Sequence, residues 1–201
     1  MRKSSPKARN LRNKNVLLIV TGSIAAYKAG DLIQLLRDEG AKITCVMTES
    51  AKHFVTPLVL RAISGGPVYH EFFATDTPYD VLHTSLAEQA DLIVVAPASA
   101  DFLARAAAGL AGDLASCILL VARCPVVFVP AMNDQMYTHP LTERNLGKLK
   151  EAGYHFIDPI EGKLVCGREA IGHICEPEGI VARLNGLAAA RRTPHSKSGQ
   201  K

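Results

Sequence analysis

No Cys-x-x-Cys pair occurs in this 201-residue chain, although it holds five cysteines. An odd set of thiols (Cys45, Cys117, Cys124, Cys166, Cys175) offers neither the paired spacing of a zinc site nor an even disulfide framework. A reducing, cytoplasmic compartment is the simplest reading. Apolar residues nowhere run on for the roughly 18 positions that mark a membrane helix. The N-terminus lacks the apolar segment of a secretory signal. It is Arg-rich and acid-free, which leaves an organellar presequence open. No internal repeat is present, and low complexity is confined to the ends. Also missing is Gly-x-Gly-x-x-Gly: the turn after the first apolar run holds one glycine, Gly22. That favours a mononucleotide over a dinucleotide crossing the sheet.

Excess positive charge is missing from the middle of the chain as well. The net charge is +4, from 23 Lys and Arg against 19 Asp and Glu. Six of the basic residues lie in residues 1–14 and four in residues 191–201, with no acid in either stretch. The 13 that remain face all 19 acids, so the interior carries about −6. Two basic, disordered, solvating tails are expected, flanking one folded domain over 15–190 large enough to bury a core. The folded part has little to offer a nucleic acid.

What is present is a rhythm of apolar runs and helical text. "NVLLIVTGS", "KITCVMT", "PVY", "DLIVVAPAS", "PVVFVP" and "YHFIDP" read as strands. Helical stretches are expected through Leu32, Leu35 and Leu36, closed by Gly40, over 50–64 with an interruption at Pro57, and over 100–108, 113–122, 138–152 and 177–190. A Thr-, Asp- and Pro-rich loop spans 74–80. Buried strands alternating with helices predict an α/β fold: a single-domain, doubly wound parallel sheet in a Rossmann- or flavodoxin-like three-layer sandwich. Ligands of such sheets bind beyond the carboxyl ends of the strands. Four strands end there in small or polar residues: Thr21-Gly22-Ser23, Thr48, Pro97-Ala98-Ser99 and Pro130-Ala131-Met132-Asn133. The four loops are expected to share one edge.

At that edge Gly22 lets the backbone approach a ligand, and Ser23 can cap the following helix. The helix N-terminus then presents N–H groups to an anion. Ser99 and Asp101 fit a second helix cap. Glu49 stands where a ribose-binding acid would stand in a nicotinamide enzyme. His83 is expected just before a short helix opened by a Ser85–Glu88 capping box, where an imidazole can take a proton at neutral pH. A backbone-bonded histidine fits the same text. His53, His70, His139, His155 and His173 read as surface or loop residues. The Gly-punctuated segment 162–180 suits a functional flap or disorder. Cys166 falls on it, while Cys175, just before the last helix, is expected to pack.

"GSIAAYK", "HTSL", "PASA", "PAMNDQMY" and "LVCG", in order and suitably spaced over residues 14–185, closely resemble the flavin-dependent cysteine decarboxylases. Within these the match is nearest to the phosphopantothenoylcysteine decarboxylases of coenzyme A synthesis. The resemblance implies FMN and a homo-oligomer, a trimer or tetramer of trimers, with FMN sites at subunit interfaces. Carried over, Gly22, Ser23, Ile24, Thr48, Phe54, Ser99, Ala100 and Asp101 fall on the FMN side, with Ala131 nearby. His83 is the catalytic base, and Cys166 the acid of a flap over about 160–176. Asn133 holds the substrate's carboxylate or neighbouring amide, and Met132, Met136 and Tyr137 pack the pocket. The implied chemistry oxidises the thiol-bearing carbon to a thioaldehyde, an electron sink that permits loss of CO₂ to an enethiolate. Protonation by Cys166 and return of the hydride complete a redox-neutral cycle.

Three positions depart from the family pattern. Asp101-Phe102 replaces a polar pair, and an Asp near a phosphate is unfavourable. Tyr137 stands where the signature has Trp, and Cys175 where a small apolar residue is expected. Other readings use the same architecture. Peptidyl-cysteine decarboxylases lack the flap cysteine, so Cys166 favours the coenzyme A reading. Flavin prenyltransferases need a basic prenyl-phosphate site, which has no counterpart here. Non-catalytic phosphatase regulators carry an acidic C-terminus, whereas this one is basic. The synthetase domain found beside many bacterial relatives is absent from this sequence, which fits a stand-alone enzyme or a fragment.

Overall fold

The computed structural model describes residues 10–73, 78, 81–163 and 169–190. The six apolar runs form β1 (Asn15–Val20), β2 (Lys42–Met47), β3 (Val68–Tyr69), β4 (Leu92–Ala98), β5 (Val126–Pro130) and β6 (His155–Phe156). They make one sheet in the order β3-β2-β1-β4-β5-β6, with every neighbouring pair parallel. The chain winds outward from β1 to β3, crosses back to β4, and winds outward again. The crevice of such a sheet opens between β1 and β4, where the order reverses.

Between the strands run α1 (Ala29–Asp38), α2 (Pro57–Ser64), α3 (Leu82–Gln89), α4 (Ala100–Ala107), α5 (Leu114–Val121), α6 (Asp134–Tyr137), α7 (Pro140–Glu151) and α8 (Pro177–Ala190). Strand periodicity sorts the sheet's side chains into two cores. Val16, Leu18 and Val20 of β1 join the core under α1, α2 and α8, whereas Leu17 and Ile19 join the core under α3, α4, α5 and α7. Both layers are buried because β1 is central, and each large aliphatic side chain removed from water contributes about 1.5–3 kcal/mol. Cys45 belongs to the first core, where burial pushes its thiol up to about 12. It is a core residue without chemistry at neutral pH. Among the described residues, no helix is long and apolar enough to cross a membrane.

Several boundaries differ from expectation. The basic N-terminal tail does not extend to residue 14. Leu11 is fully buried in the first core, and Asn10 donates from its backbone N–H to Asn185 Oδ1 at 3.0 Å and from Nδ2 to the Asn185 carbonyl of α8 at 3.1 Å. One leucine inside a basic run outweighs the run's polar average. Residues 1–9 and 191–201 lie outside the described residues. Pro57 starts α2 rather than interrupting a helix: Thr56 Oγ1 accepts from Val59 N–H, and proline's missing donor costs nothing in the first turn. The expected helix 138–152 is α7, opened by Pro140 after a His139 cap, and a short helix that was not expected, α6, precedes it and closes at Tyr137. The Gly-punctuated segment contains an antiparallel ribbon, β7 (Ile160–Lys163) with β8 (Glu169–His173).

Candidate functional site

Hydrogen bonds draw three loops together beyond the carboxyl ends of β1, β4 and β5. Thr21 Oγ1 donates to the Pro97 carbonyl at 2.7 Å and accepts from Ser99 N–H at 2.9 Å. Ala131 N–H donates to the Ala98 carbonyl at 3.1 Å, and Ser23 Oγ donates to the Ala131 carbonyl at 3.1 Å. Gly22, Ser23, Ile24, Ser99, Ala100 and Ala131 are thereby gathered at one edge, on the side of the sheet where a ligand would bind. Ser23 caps the 3-10 turn Ile24–Lys28 through Ala25 N–H at 3.4 Å, and Ser99 caps α4 through Phe102 N–H at 3.3 Å. Both caps are long, so an anion could take over these donors at little cost.

The loop after β2 completes the edge. A Cβ on Gly22 would lie 2.4 Å from Ser50 Cβ, so this glycine makes room for Ser50. Thr48 is buried, and its Oγ1 has no hydrogen-bond partner among the described residues. A buried hydroxyl without a partner is costly and calls for one. It lines a cavity of about 670 Å³, which also takes in Glu49, Phe72, Asp101, Arg105 and Asp113. That volume falls within the usual range for small-molecule sites. Glu49 is exposed and pairs with Lys52 at 2.7 Å, an ordinary surface ion pair. Asp101 pairs with Arg105 at 3.1 Å, and Arg105 also holds Asp113 at 2.7 Å while stacking over Phe102. The two departures at 101 and 102 therefore form a unit with Arg105, whose guanidinium offsets the added acid. Burial pushes the Asp113 carboxyl up, but Arg105 and Ser116 more than offset this and hold it below the usual range.

The "PAMNDQMY" loop is fixed from two sides. Asn133 Oδ1 accepts from Gln135 N–H at 2.9 Å and caps α6. That use of the oxygen leaves Nδ2 as the group to donate to a carboxylate. Met132 N–H donates to the Gly172 carbonyl of β8 at 3.2 Å. Gly172 has φ +128, and a Cβ there would lie 2.3 Å from the Met132 carbonyl oxygen. Only glycine lets the ribbon lie this close to the Asn133 loop. Met132 and Tyr137 pack against the second core, whereas Met136 is half exposed. Tyr137's phenol is pushed up by burial and by its bond to the Asp158 carboxylate. A tryptophan could not make that hydroxyl contact.

His83 lies within the first turn of α3, not before it. The expected Ser85–Glu88 capping box does not form; Val81 occupies the cap position without a side-chain bond. The His83 ring lies 5.9 Å from that of Phe72, which lines the cavity. The described contacts of His83 and of Asn133 do not join the two. Phe54 and Ile24 are about half exposed on neighbouring segments. Cys166 lies outside the described residues, whereas Cys175 is buried as expected. Pattern reading missed Arg105, Phe72 and His70, which line the cavity. It also missed Lys28, buried at the end of the Ile24–Lys28 turn. The i, i+4 spacing of Asp101 and Arg105 along α4, followed by Asp113 at the cap of α5, is the signal that could have found the first.

The family profile described as Flavoprotein matches residues 4–189. The chain is 46% identical over 171 residues to the coenzyme A biosynthesis bifunctional protein CoaBC of Bacillus subtilis, covering 85% of this chain and 42% of that protein. It thus spans less than half the length of this and similar bifunctional relatives. It is 40% identical over 173 residues to a "Probable phosphopantothenoylcysteine decarboxylase" of Streptococcus mutans, covering 85% of this chain and 97% of that one. Among solved structures, a PPC decarboxylase Cys→Ser variant complexed with pantothenoylaminoethenethiol superposes with a TM-score of 0.80 at 35% identity, over 88% of this chain and 98% of that one. The FMN-dependent cysteine decarboxylase SpaF gives 0.77 at 30% identity, over 89% and 99%.

Proposed function

Because the chain belongs to the Flavoprotein family, we propose that it is an FMN-dependent carboxy-lyase that converts 4'-phosphopantothenoyl-L-cysteine to 4'-phosphopantetheine in coenzyme A biosynthesis. The observation that carries this reading is the junction of three loops at one sheet edge, where Ser23 bonds Ala131 and Thr21 bonds both Pro97 and Ser99. That junction places capping hydroxyls and helix-start N–H groups beside the loop bearing Asn133. The names of the S. mutans relative and of the solved PPC decarboxylase and SpaF support the same reading.

FMN suits the residues present. Gly22, Ser23, Ile24, Ser99, Ala100 and Ala131 would hold it, and Thr48's unpartnered hydroxyl would find an acceptor or donor there. Phe54 would cover an aromatic face, and Asp101 would act through Arg105 rather than by touching a phosphate. Bound flavin supplies a hydride acceptor and donor, which this protein's side chains cannot. His83 would take the proton released as the cysteinyl carbon is oxidised. Asn133 Nδ2 would bind the substrate carboxylate, while Met132, Met136 and Tyr137 shape the pocket. Cys166, on the segment between β7 and β8, would return the proton. The ribbon, as part of a flap over about 160–176, would shield the enethiolate from water.

The assembly we favour is a homotrimer or a tetramer of trimers with FMN at the subunit interface. Half-exposed Ile24 and Phe54, with Tyr27 and Leu58 more exposed still, support it: these apolar side chains flank the proposed site and suit cover by a second copy. A partner copy would also bring His83 of one chain toward Asn133 of another. Cys45, Cys117 and Cys175 are free thiols, which suits a cytoplasmic setting. The test is the visible spectrum of the purified protein, followed by turnover assays. Yellow protein that releases CO₂ from phosphopantothenoylcysteine supports the reading. Turnover only of a peptide ending in cysteine would assign the peptidyl-cysteine reaction instead.

A further inference from the structure

Lys28 is the last residue of the turn Ile24–Lys28, which begins at the Ser23 cap. Its side chain is 11% exposed. Nζ lies 2.8 and 2.9 Å from the two carboxylate oxygens of Glu176 and 3.0 Å from His173 Nε2. Glu176 precedes α8, and His173 ends β8. His173 is also pressed against the other strand of the ribbon, because a Cβ on Gly162 would lie 3.2 Å from its ring. One residue back, the Gly172 carbonyl receives Met132 N–H. A single buried cation thus spans the loop after β1, the ribbon and the entry to α8, one residue from the ribbon's contact with the Asn133 loop.

Neither packing nor strength accounts for a charge in this place. A buried ion pair is often no more stabilising than apolar residues of the same volume, whereas its directional bonds hold one geometry. Lys28 can donate to Glu176 and to Nε2 together only when that nitrogen carries no proton. Nε2 also lies 3.3 Å from Glu176 Oε1, so a ring protonated there can donate to the carboxylate instead. In either form the cluster ties His173 and β8 to the Ser23 turn.

We infer that Lys28 is a positioning residue that couples the proposed flavin-phosphate turn to the ribbon and, through Gly172, to the Asn133 loop. The inference rests on the reading above. Cofactor bound at Ser23 steadies the turn, Lys28 passes that order to β8, and β8 holds Asn133 in place for substrate. By reciprocity, a ribbon held in place tightens the turn's hold on its anion.

The test compares Lys28→Met, Lys28→Arg and Glu176→Gln in the full chain. The readouts are hydrogen exchange of the ribbon amides with and without FMN, and KM against kcat for phosphopantothenoylcysteine. In the unaltered protein FMN slows exchange in β8. In Lys28→Met that protection is lost and KM rises by about tenfold or more, with kcat changed far less, as expected of a coupling of ordinary size. Lys28→Arg restores most of both effects. Glu176→Gln, at a half-exposed position that spares the core, moves both the same way by less. Should Lys28→Met keep full FMN-dependent protection of β8 and an unaltered KM, the coupling is refuted. A protein that binds no flavin refutes the functional reading instead. The coupling itself then still stands or falls on whether Lys28→Met speeds ribbon exchange without ligand and Lys28→Arg reverses it.

Discussion

Replacing Gly22 by alanine separates two explanations of this glycine. If it exists so that a ligand can approach the backbone, the added methyl weakens flavin binding and leaves the empty fold alone. The geometry points elsewhere first, because the new Cβ would lie 2.4 Å from Ser50 Cβ, with the Ser50 carbonyl carbon at 3.3 Å and its Cα at 3.4 Å. Gly22 has no left-handed φ to strain, so the cost is steric. Overpacking of this kind costs about 1–3 kcal/mol. In a chain of this length that corresponds to about 2–4 °C in Tm per kcal/mol. Removing the opposing atom with Ser50→Gly leaves only the slightly tight contacts at 3.3 and 3.4 Å and should recover most of the loss, apart from about 0.5–1 kcal/mol of backbone entropy that the new glycine costs by itself. A double-mutant cycle on the flavin-free protein, followed by urea unfolding, should therefore give a favourable coupling of about 1–2 kcal/mol. Flavin affinity measured on the same four proteins should follow the same pattern. Strict additivity of the two substitutions would refute the packing argument, and a Gly22→Ala protein of unaltered stability that cannot hold flavin would return the glycine to the ligand.

Further outcomes follow from the same geometry. His83→Asn should retain flavin absorbance while turnover falls by about a hundredfold or more; full activity would remove the imidazole from the chemistry. Cys166→Ser should let substrate bleach the flavin band without completing turnover, and a fully active variant would exclude this thiol. Arg105 and Ser116 hold the Asp113 carboxyl below its usual range against the opposing effect of burial. A depressed carboxylate contributes stability above its unfolded value of about 3.9, and this is lost as pH falls through the lower folded value. Asp113→Asn should thus cost about 1 kcal/mol at pH 7, allowing for partial exposure, and progressively less as pH falls below about 3.9. Thermal scans across that window check the sign.

Much of the fold was legible because β1, β4 and β5 are buried on both faces and read as unbroken apolar runs. The shared edge was legible for a related reason, since each of these strands ends in small or hydroxyl residues that a crowded junction requires. Other features depend on contacts that no local pattern encodes. Leu11 looks like part of a basic tail until Asn185 and the first core are in place. The ribbon was hidden by its glycines, two of which, Gly162 and Gly172, exist for close approaches to His173 and Met132 rather than for turns. The capping-box text at Ser85–Glu88 was overridden because α3 begins earlier, at Leu82, where packing on the second core decides. Lys28 reads as a solvated lysine in a small-residue turn, and only the fold brings His173 and Glu176 to it across some 145 residues.

The most direct test of the account is CO₂ release from phosphopantothenoylcysteine by the purified, flavin-loaded protein, with the flavin spectrum followed in the same cuvette. The account predicts CO₂ and phosphopantetheine in equal amounts, with the flavin oxidised again once substrate is consumed. A yellow protein that leaves this substrate intact, or that yields an enethiol while its flavin stays reduced, would contradict it.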